Sequence, residues 1–343
     1  MDAFVALHLA YPFAPAKGHQ ILKNFKSWEE MVNSDDRLKK VLDEDLVNQA
    51  RKEASTMGVE MIEYGSSGYP ASLKALADPP LVLYCKGDSS TLTSPSIAIV
   101  GTRQCSIYGA TTARKFGSDF GKHEVTVVSG LARGVDTSAH EGALDQGKTV
   151  AVIGSGLGHI YPKENIPLAK KISEQGAICS EYPLSTAPDR FQFPRRNRII
   201  AALSSGAILI EAPEKSGAMG TMDWAEHLQK PCFALPGRVD WESFCGNHRL
   251  LKCGKAKLVE NAGEVVSLLW PGAIRKPEKM VPAADLTPAE QQLLLQFPQD
   301  EISFDELALS TQVTIPSLNA LLISLSIKKI IREFPGKLYK KVV

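Results

Sequence analysis

No two cysteines in this 343-residue sequence stand in C-x-x-C spacing; Cys85, Cys105, Cys179, Cys232, Cys245 and Cys253 are scattered through apolar and turn segments. The usual zinc or dithiol redox motif is therefore missing, and the six read as free, reduced thiols. No apolar run approaches the ~20 residues of a membrane span. The first residues carry neither a basic leader nor a clear cleavage site, so a cytoplasmic protein without a membrane partner is expected. Neither sign of charge is in excess: 39 Lys and Arg against 38 Asp and Glu leave a formal net charge of +1. Any site for a polyanion must then come from local clustering. Internal repeats and low-complexity tracts are also missing.

Several nucleotide and catalytic motifs are absent as well. GALDQGKT, residues 142–149, matches G-x-x-x-x-G-K-[ST] in letters but leads into the strand run TVAVIG instead of following one, the reverse of the P-loop order; there is no G-x-S-x-G, and VAVIGSGLGH places His159 where G-x-G-x-x-G requires glycine. No nucleophile, base and orienting residue form a set. His140 follows Asp136 by one helical turn and could pair with it, but reads as structural. Glu181 and Glu211 close strands, where an acid can bind a ribose or a neighbouring backbone. Neither enzymatic activity, nor a cofactor, nor a bound metal is expected.

What is present is a hydrophobic fraction of 44%, ample for a buried core, divided along the chain into three zones. Residues 1–60 read as short helices, with Ser27 and Glu30 as a capping box and Gly58 as a helix stop. Residues 61–94 lead into a main domain that extends to residue 270. There SIAIVG, VTVVSG, TVAVIG, AICSE, GAILIE and PCFALPG alternate with helical stretches. Runs this apolar belong to strands covered on both faces, which gives an α/β class with a doubly wound, mostly parallel sheet. Residues 271–284 are a proline-rich linker. Residues 285–343 carry a Thr287–Glu290 capping box, three helices and a hairpin, the pattern of a winged helix.

Ligands of such sheets bind at the carboxyl ends of the strands. In VGTRQCSIYG, Gly101 lets the chain turn and a helix begins near Gly109, leaving Arg103 beside backbone N–H groups that can cradle a phosphate. A solvated loop residue is the plainer reading of Arg103. SGLARGVD repeats the arrangement with Ser129, Gly130 and Arg133 ahead of a helix that Asp136 can cap, although turn chemistry alone explains it. IYPKEN adds Tyr161, Lys163 and Asn165. FPRRNRIIAAL sets Arg195, Arg196, Asn197 and Arg198 behind a proline suited to the first helical position, where the helix dipole repels cations. An anion bound there would resolve the conflict. With Arg190, Phe191 and Phe193 these residues fit a groove for single-stranded nucleic acid, the cations tracking phosphates and the aromatics stacking bases. For each phenylalanine taken singly, a place in the core is the favoured reading.

The series VGTRxxxxYG, SGLARGVDxxAHxGAL, GxTVAVIGSGL, YPxEN, SEYP, FPxRNRIIAxLS, EAxxKSGA and PGR resembles the DNA-processing protein A (DprA/Smf) family over roughly residues 60–260. The resemblance implies an extended Rossmann-like domain preceded by a small SAM-like helical domain and followed by a winged helix. It also implies a protein that binds single-stranded DNA in natural transformation, protects it, helps load a RecA-type recombinase, and acts as a homodimer. Carried onto this chain, the DNA contacts include Arg103, Lys163 and the arginines of FPRRNR. SGAMGT stands where the family usually has SGSLIT, and GSGLG where it has GSGLD. SGAMGT is also similar to the phosphate loop of nucleotide phosphoribohydrolases. That offers a second reading, an enzyme acting on nucleoside monophosphates, with Gly220 and Thr221 at the phosphate and Asp223 or Glu226 nearby. On the DNA reading, the three arginines serve successive phosphates, and replacing two of them leaves the fold intact.

Overall fold

The computed structural model describes residues 3–25, 30, 33, 44–272, 286–298, 301–311, 313–328, 330–334 and 336–341. Two strands, β1 (Glu60–Glu63) and β2 (Val82–Gly87), precede the six apolar runs. Those runs become β3 (Ser96–Val100), β4 (Thr126–Ser129), β5 (Thr149–Val152), β6 (Ala177–Ser180), β7 (Ala207–Leu209) and β8 (Cys232–Ala234), and β9 (Lys257–Leu258) follows. Among the described residues they make one sheet in the order β1-β2-β6-β5-β4-β3-β7-β8-β9. From β6 to β9 every neighbouring pair is parallel; β2 lies antiparallel on β6 and β1 antiparallel on β2. The lead-in residues 61–94 thus supply the antiparallel edge, which their short apolar runs did not announce.

Alternation along the strands explains the two-sided burial. Ile97 and Ile99 enter one apolar cluster with Phe116 and Phe120, while Ala98 and Val100 enter another with Ile199, Met222 and Leu250. The chain steps outward through β4, β5 and β6, then returns to place β7 on the other side of β3. Loops at the carboxyl ends of β3, β4 and β5 consequently share one rim of the sheet, beside the point where strand order reverses.

Residues 1–276 belong to one compact unit and 277–343 to a second. The described helices before residue 60 share the first unit's core, since Val5, Ala54 and Val59 cluster with Val82, Tyr84, Leu131 and Ile153. The helix Glu44–Thr56 ends ahead of Gly58, whose φ of +64° suits the stop read from the sequence. Ser27 of the expected capping box and all but residues 271–272 of the linker lie outside the described residues.

In the second unit the helices Pro288–Leu294, Phe304–Ser310 and Ile315–Ile327 surround a small core with Leu307, Leu318, Leu322 and Tyr339. Three strands, β10 (Ile302–Ser303), β11 (Ile331–Phe334) and β12 (Leu338–Lys341), pair in the order β10-β12-β11. The Thr287–Glu290 capping box forms as expected. Among the described residues no single helix is long and apolar enough to cross a membrane.

Two consequences can be measured. The helices Ile107–Lys122 and Val135–Gln146 approach so closely that a Cβ on Gly142 would stand 1.9 Å from the Arg114 carbonyl oxygen, whereas one on Gly217 would meet nothing within 4 Å. Gly142→Ala should therefore lower the unfolding free energy by about 1–3 kcal/mol or more, and Gly217→Ala should be neutral or mildly stabilising, as chemical denaturation will show. In the second unit, hydrogen bonds from Lys328, Ser324 and the Thr287 backbone hold the Glu290 carboxyl down, to about 2 from its ordinary 4.5. A depressed carboxylate contributes stability that is complete above its unfolded value and lost as pH falls through the folded one. Thermal melts of Glu290→Gln should therefore lack the part of the wild-type acid destabilisation that develops between about pH 4.5 and 2.

Candidate nucleic-acid interface

The loop after β3 is fixed from below by Glu211, at the end of β7. Its carboxylate accepts the Ser106 backbone N–H at 3.1 Å and the Ser106 hydroxyl at 2.7 Å, and its carbonyl accepts the Thr102 N–H at 2.7 Å. Ser106 in turn caps the helix Ile107–Lys122 through the Gly109 N–H. The strand-end acid binds a neighbouring backbone, one of its two expected roles. Arg103 is left exposed at the rim, its guanidinium 5.4 Å from the centroid of the Phe193 ring.

The loop after β4 is held from both sides. Asp136 turns back to accept the N–H groups of Gly130 at 3.0 Å and Ala132 at 3.4 Å, so it organises the loop rather than capping its own helix. Arg196 donates from the opposite side to the carbonyls of Gly130, at 2.6 Å, and Val152. A Cβ on Gly130 would lie 2.5 Å from the Arg196 guanidinium, which requires glycine there. At Gly134, φ is +75° and a Cβ would meet the Thr102 carbonyl oxygen at 2.4 Å, so the two loops touch through a second glycine. His140 does not pair with Asp136; its Nδ1 meets the Thr149 hydroxyl at 2.7 Å, and burial lowers its pKa to about 3.

These loops and the helix Gln192–Leu203 enclose a pocket lined by Arg103, Gly130, Ala132, Arg133, Tyr161, Pro162, Phe193 and Arg196. Arg196 forms its floor. Burial depresses its pKa to about 10, still far above neutrality, and the Asp136 carboxylate supports the charge. The Tyr161 and Phe193 rings lie 5.6 Å apart. Beside them Arg190 sits 4.7 Å over the ring of Phe191, which is 70% exposed. Neither phenylalanine is core, since Phe193 is only half-buried. The assembly offers cations and aromatic faces on one rim, while the loop N–H groups named above are held by internal acceptors.

Not every expected contact belongs to it. Arg198 is buried and donates to the Glu181 carboxylate at 2.5 Å, with Asp78 at 3.2 Å. Arg195 donates to the Phe13 carbonyl and lies 3.5 Å from Asp78 and 3.9 Å from Glu181. The three arginines therefore do not line up on successive phosphates. The helix begins at Gln192, so Pro194 is its third residue and the arginines fall beyond the first three positions, with internal acids as counter-ions. Burial also withdraws three other candidates. Ser129 donates to the Ile99 carbonyl, and Asn165 donates to the Leu131 carbonyl and the Thr137 hydroxyl. Asn197 donates to the Gly217 carbonyl. Lys163 and Arg133 are exposed, Arg133 in an ion pair with Glu164.

The nucleotide-loop candidates lie elsewhere. Gly220 and Thr221 sit on the helix Gly217–His227, with Thr221 buried, and Glu226 pairs with Lys255 at 2.9 Å. None of these three residues, nor Asp223, lines the pocket.

Comparison with known proteins gives the same outline. Residues 60–269 match the model of the DNA recombination-mediator protein A family, and residues 277–337 that of the DprA winged helix domain. Protein Smf of Escherichia coli is 36% identical over 286 residues, covering 80% of this chain and 76% of its own. DNA processing protein DprA of Streptococcus pneumoniae is 41% identical over 200 residues, 58% of this chain and 70% of its own. The X-ray structure of DprA from S. pneumoniae superposes with a TM-score of 0.65 at 31% identity, covering 78% of this chain and 93% of that one. A structure of DNA processing protein A from Helicobacter pylori, concerned with that protein's single-stranded DNA binding mode, gives 0.58 at 33%, covering 63% and 97%.

The pairing of Arg198 has a direct test. With both partners 2% exposed, Arg198→Ala leaves the buried Glu181 carboxylate with only Arg195, at 3.9 Å, as counter-charge, which should cost about 3–5 kcal/mol. Adding Glu181→Met to an Arg198→Met variant should recover much of that loss in urea denaturation. A neutral Arg198→Ala would show that the pair is not what holds this helix in place.

Proposed function

Because the chain belongs to the DNA recombination-mediator protein A (DprA/Smf) family, we propose that it is a single-stranded DNA-binding protein of natural transformation that protects incoming DNA and helps load a RecA-type recombinase. The observation that carries the DNA reading is the rim itself. Arg103, Arg133 and Lys163 are exposed cations within one stretch of loops, Arg196 supplies a fixed buried charge beneath them, and Tyr161, Phe193 and Phe191 offer ring faces. A phosphate seated at the pocket meets the forked donors of Arg103 and Arg196. Arg133 can exchange its surface pair with Glu164 for a phosphate at little cost, because exposed ion pairs contribute about 0–1 kcal/mol. Successive bases stack on rings without regard to identity, so affinity is distributed over sequences alike. The family match supports the recombinase role and a cytoplasmic homodimer, both carried here as part of the proposal.

The cations and the rings can be separated by experiment. Arg103→Ala with Lys163→Ala should weaken all single-stranded oligonucleotides alike and flatten the plot of log affinity against log salt by about 0.7 for each phosphate contact removed. Phe191→Ala should cost about 1–3 kcal/mol with the salt slope unchanged. A fragment ending at Lys276 should keep the affinity for an oligonucleotide short enough for a single site within about tenfold, about 1.4 kcal/mol. Unchanged affinity and slope in the folded double variant, or turnover of a nucleoside monophosphate by the wild type, would overturn the reading.

A further inference from the structure

On the outer face of the C-terminal hairpin two cations stand directly opposite each other. β11 and β12 pair antiparallel with Arg332 against Lys340 and Phe334 against Leu338, while Ile331 and Tyr339 are buried on the other face. Like charges in opposed positions of a sheet repel. The carboxylate between them in sequence gives no relief: alternation turns Glu333 to the other face, opposite Tyr339, whose hydroxyl donates to it. Among the described residues no ion pair involves Arg332, Lys337, Lys340 or Lys341. Lys337, in the turn, has its ammonium 5.3 Å from the Phe304 ring centroid.

The preceding helix, Ile315–Ile327, is the element that would enter a DNA groove in a helix-turn-helix reader, and it contains no charged residue. Its exposed side chains include Ile315, Ile323 and Ile327. Its exposed polar side chains, Ser317 and Asn319, are neutral, so the helix offers a phosphate no cation.

The geometry points to the hairpin, not the helix before it, as a second nucleic-acid contact of this chain, with Arg332 and Lys340 sharing a phosphodiester backbone irrespective of base sequence. An anion lodged between two opposed cations turns their repulsion into joint attraction to the ligand. Phe334 and Leu338, half-buried on the same face, give a nucleobase or sugar an apolar surface beside the charges, which a bare inorganic anion does not use. The choice of nucleic acid among polyanions rests on the single-stranded DNA reading of the first unit. Carried on one chain, the two sites make capture of a long strand by the second site intramolecular.

The test uses the full-length chain and fluorescence anisotropy with oligothymidines. One is of about 6 nucleotides, short enough for a single site, and one is several times longer. R332A/K340A should bind the short oligonucleotide within about twofold of wild type. It should lose about tenfold on the long one, with a salt slope flatter by about 1.4, from two contacts at about 0.7 each. R332E, which places a carboxylate opposite Lys340, should melt no lower than wild type and still show the loss, so that unfolding is not the cause. Unchanged long-oligonucleotide affinity and slope in R332A/K340A, with R103A still weakening both oligonucleotides, would overturn the hairpin contact and leave the first-unit reading standing. An inert R103A beside an effective R332A/K340A would do the reverse. A loss confined to phosphatidylglycerol vesicles, with DNA binding unchanged, would assign the hairpin to a membrane surface and overturn the proposal.

Discussion

Arg196 is the buried cation around which the carboxyl rim of the sheet is arranged. A guanidinium out of water needs a counter-charge and acceptors. It has both: Asp136 across the loop after β4, and the carbonyls of Gly130 and Val152. The same Asp136 carboxylate ties down the N–H groups of Gly130 and Ala132. One charge pair thus fixes the backbone of the loop from two sides, and glycine at 130 is the condition that lets the guanidinium come so near. The loop after β3 meets this one at Gly134 and is held at its other end by Glu211. The pocket is preorganised in the sense that the guanidinium at its floor and the loop backbone at its wall are already held by internal hydrogen bonds.

Arginines on one helix therefore have different tasks. Arg198 joins the helix Gln192–Leu203 to Glu181 at the end of β6 and to Asp78 in the lead-in segment, and Arg195 leans on the same acids and on the Phe13 carbonyl. These are architectural pairs, and they tie the N-terminal segment and the segment between β1 and β2 to this helix. The exposed cations are those on loops, Arg103, Lys163 and Arg133, the last paired at the surface with Glu164. Rigid charge below and mobile charge above is a fitting arrangement for a flexible polyanion, since only the surface side chains need reorganise on binding.

The six central strands were legible because each apolar run is short, β-branched and closed by glycine, proline or an acid, and the winged helix because its capping box is local. The rim was legible only in part. Arg103, Gly130 and Arg133 follow strand ends, which place them at one edge whatever the details. The roles of Arg195, Arg198, Ser129, Asn165 and Asn197 depended on partners 17 to 182 residues away. Glu181 read only as an acid that closes a strand, Asp78 stands in the lead-in segment with no motif around it, and no local pattern links either to FPRRNR. A run of arginines at a helix start has two remedies, an external anion or internal carboxylates, and sequence spacing does not distinguish them. Here internal carboxylates serve all three, Asp136 for Arg196 and Glu181 with Asp78 for Arg195 and Arg198, and Arg196 alone of the three also lines the pocket.

The central claim is that single-stranded DNA lies across the Arg103–Arg196 pocket with its bases on the neighbouring rings. Photo-cross-linking the full-length protein to an oligothymidine carrying one 5-iododeoxyuridine, with the adduct located by mass spectrometry, reads the contact directly. The account predicts adducts at Tyr161, Phe193 or Phe191, suppressed when Arg103 is replaced by alanine. Adducts confined to other parts of the chain, with none on these three rings, would contradict it.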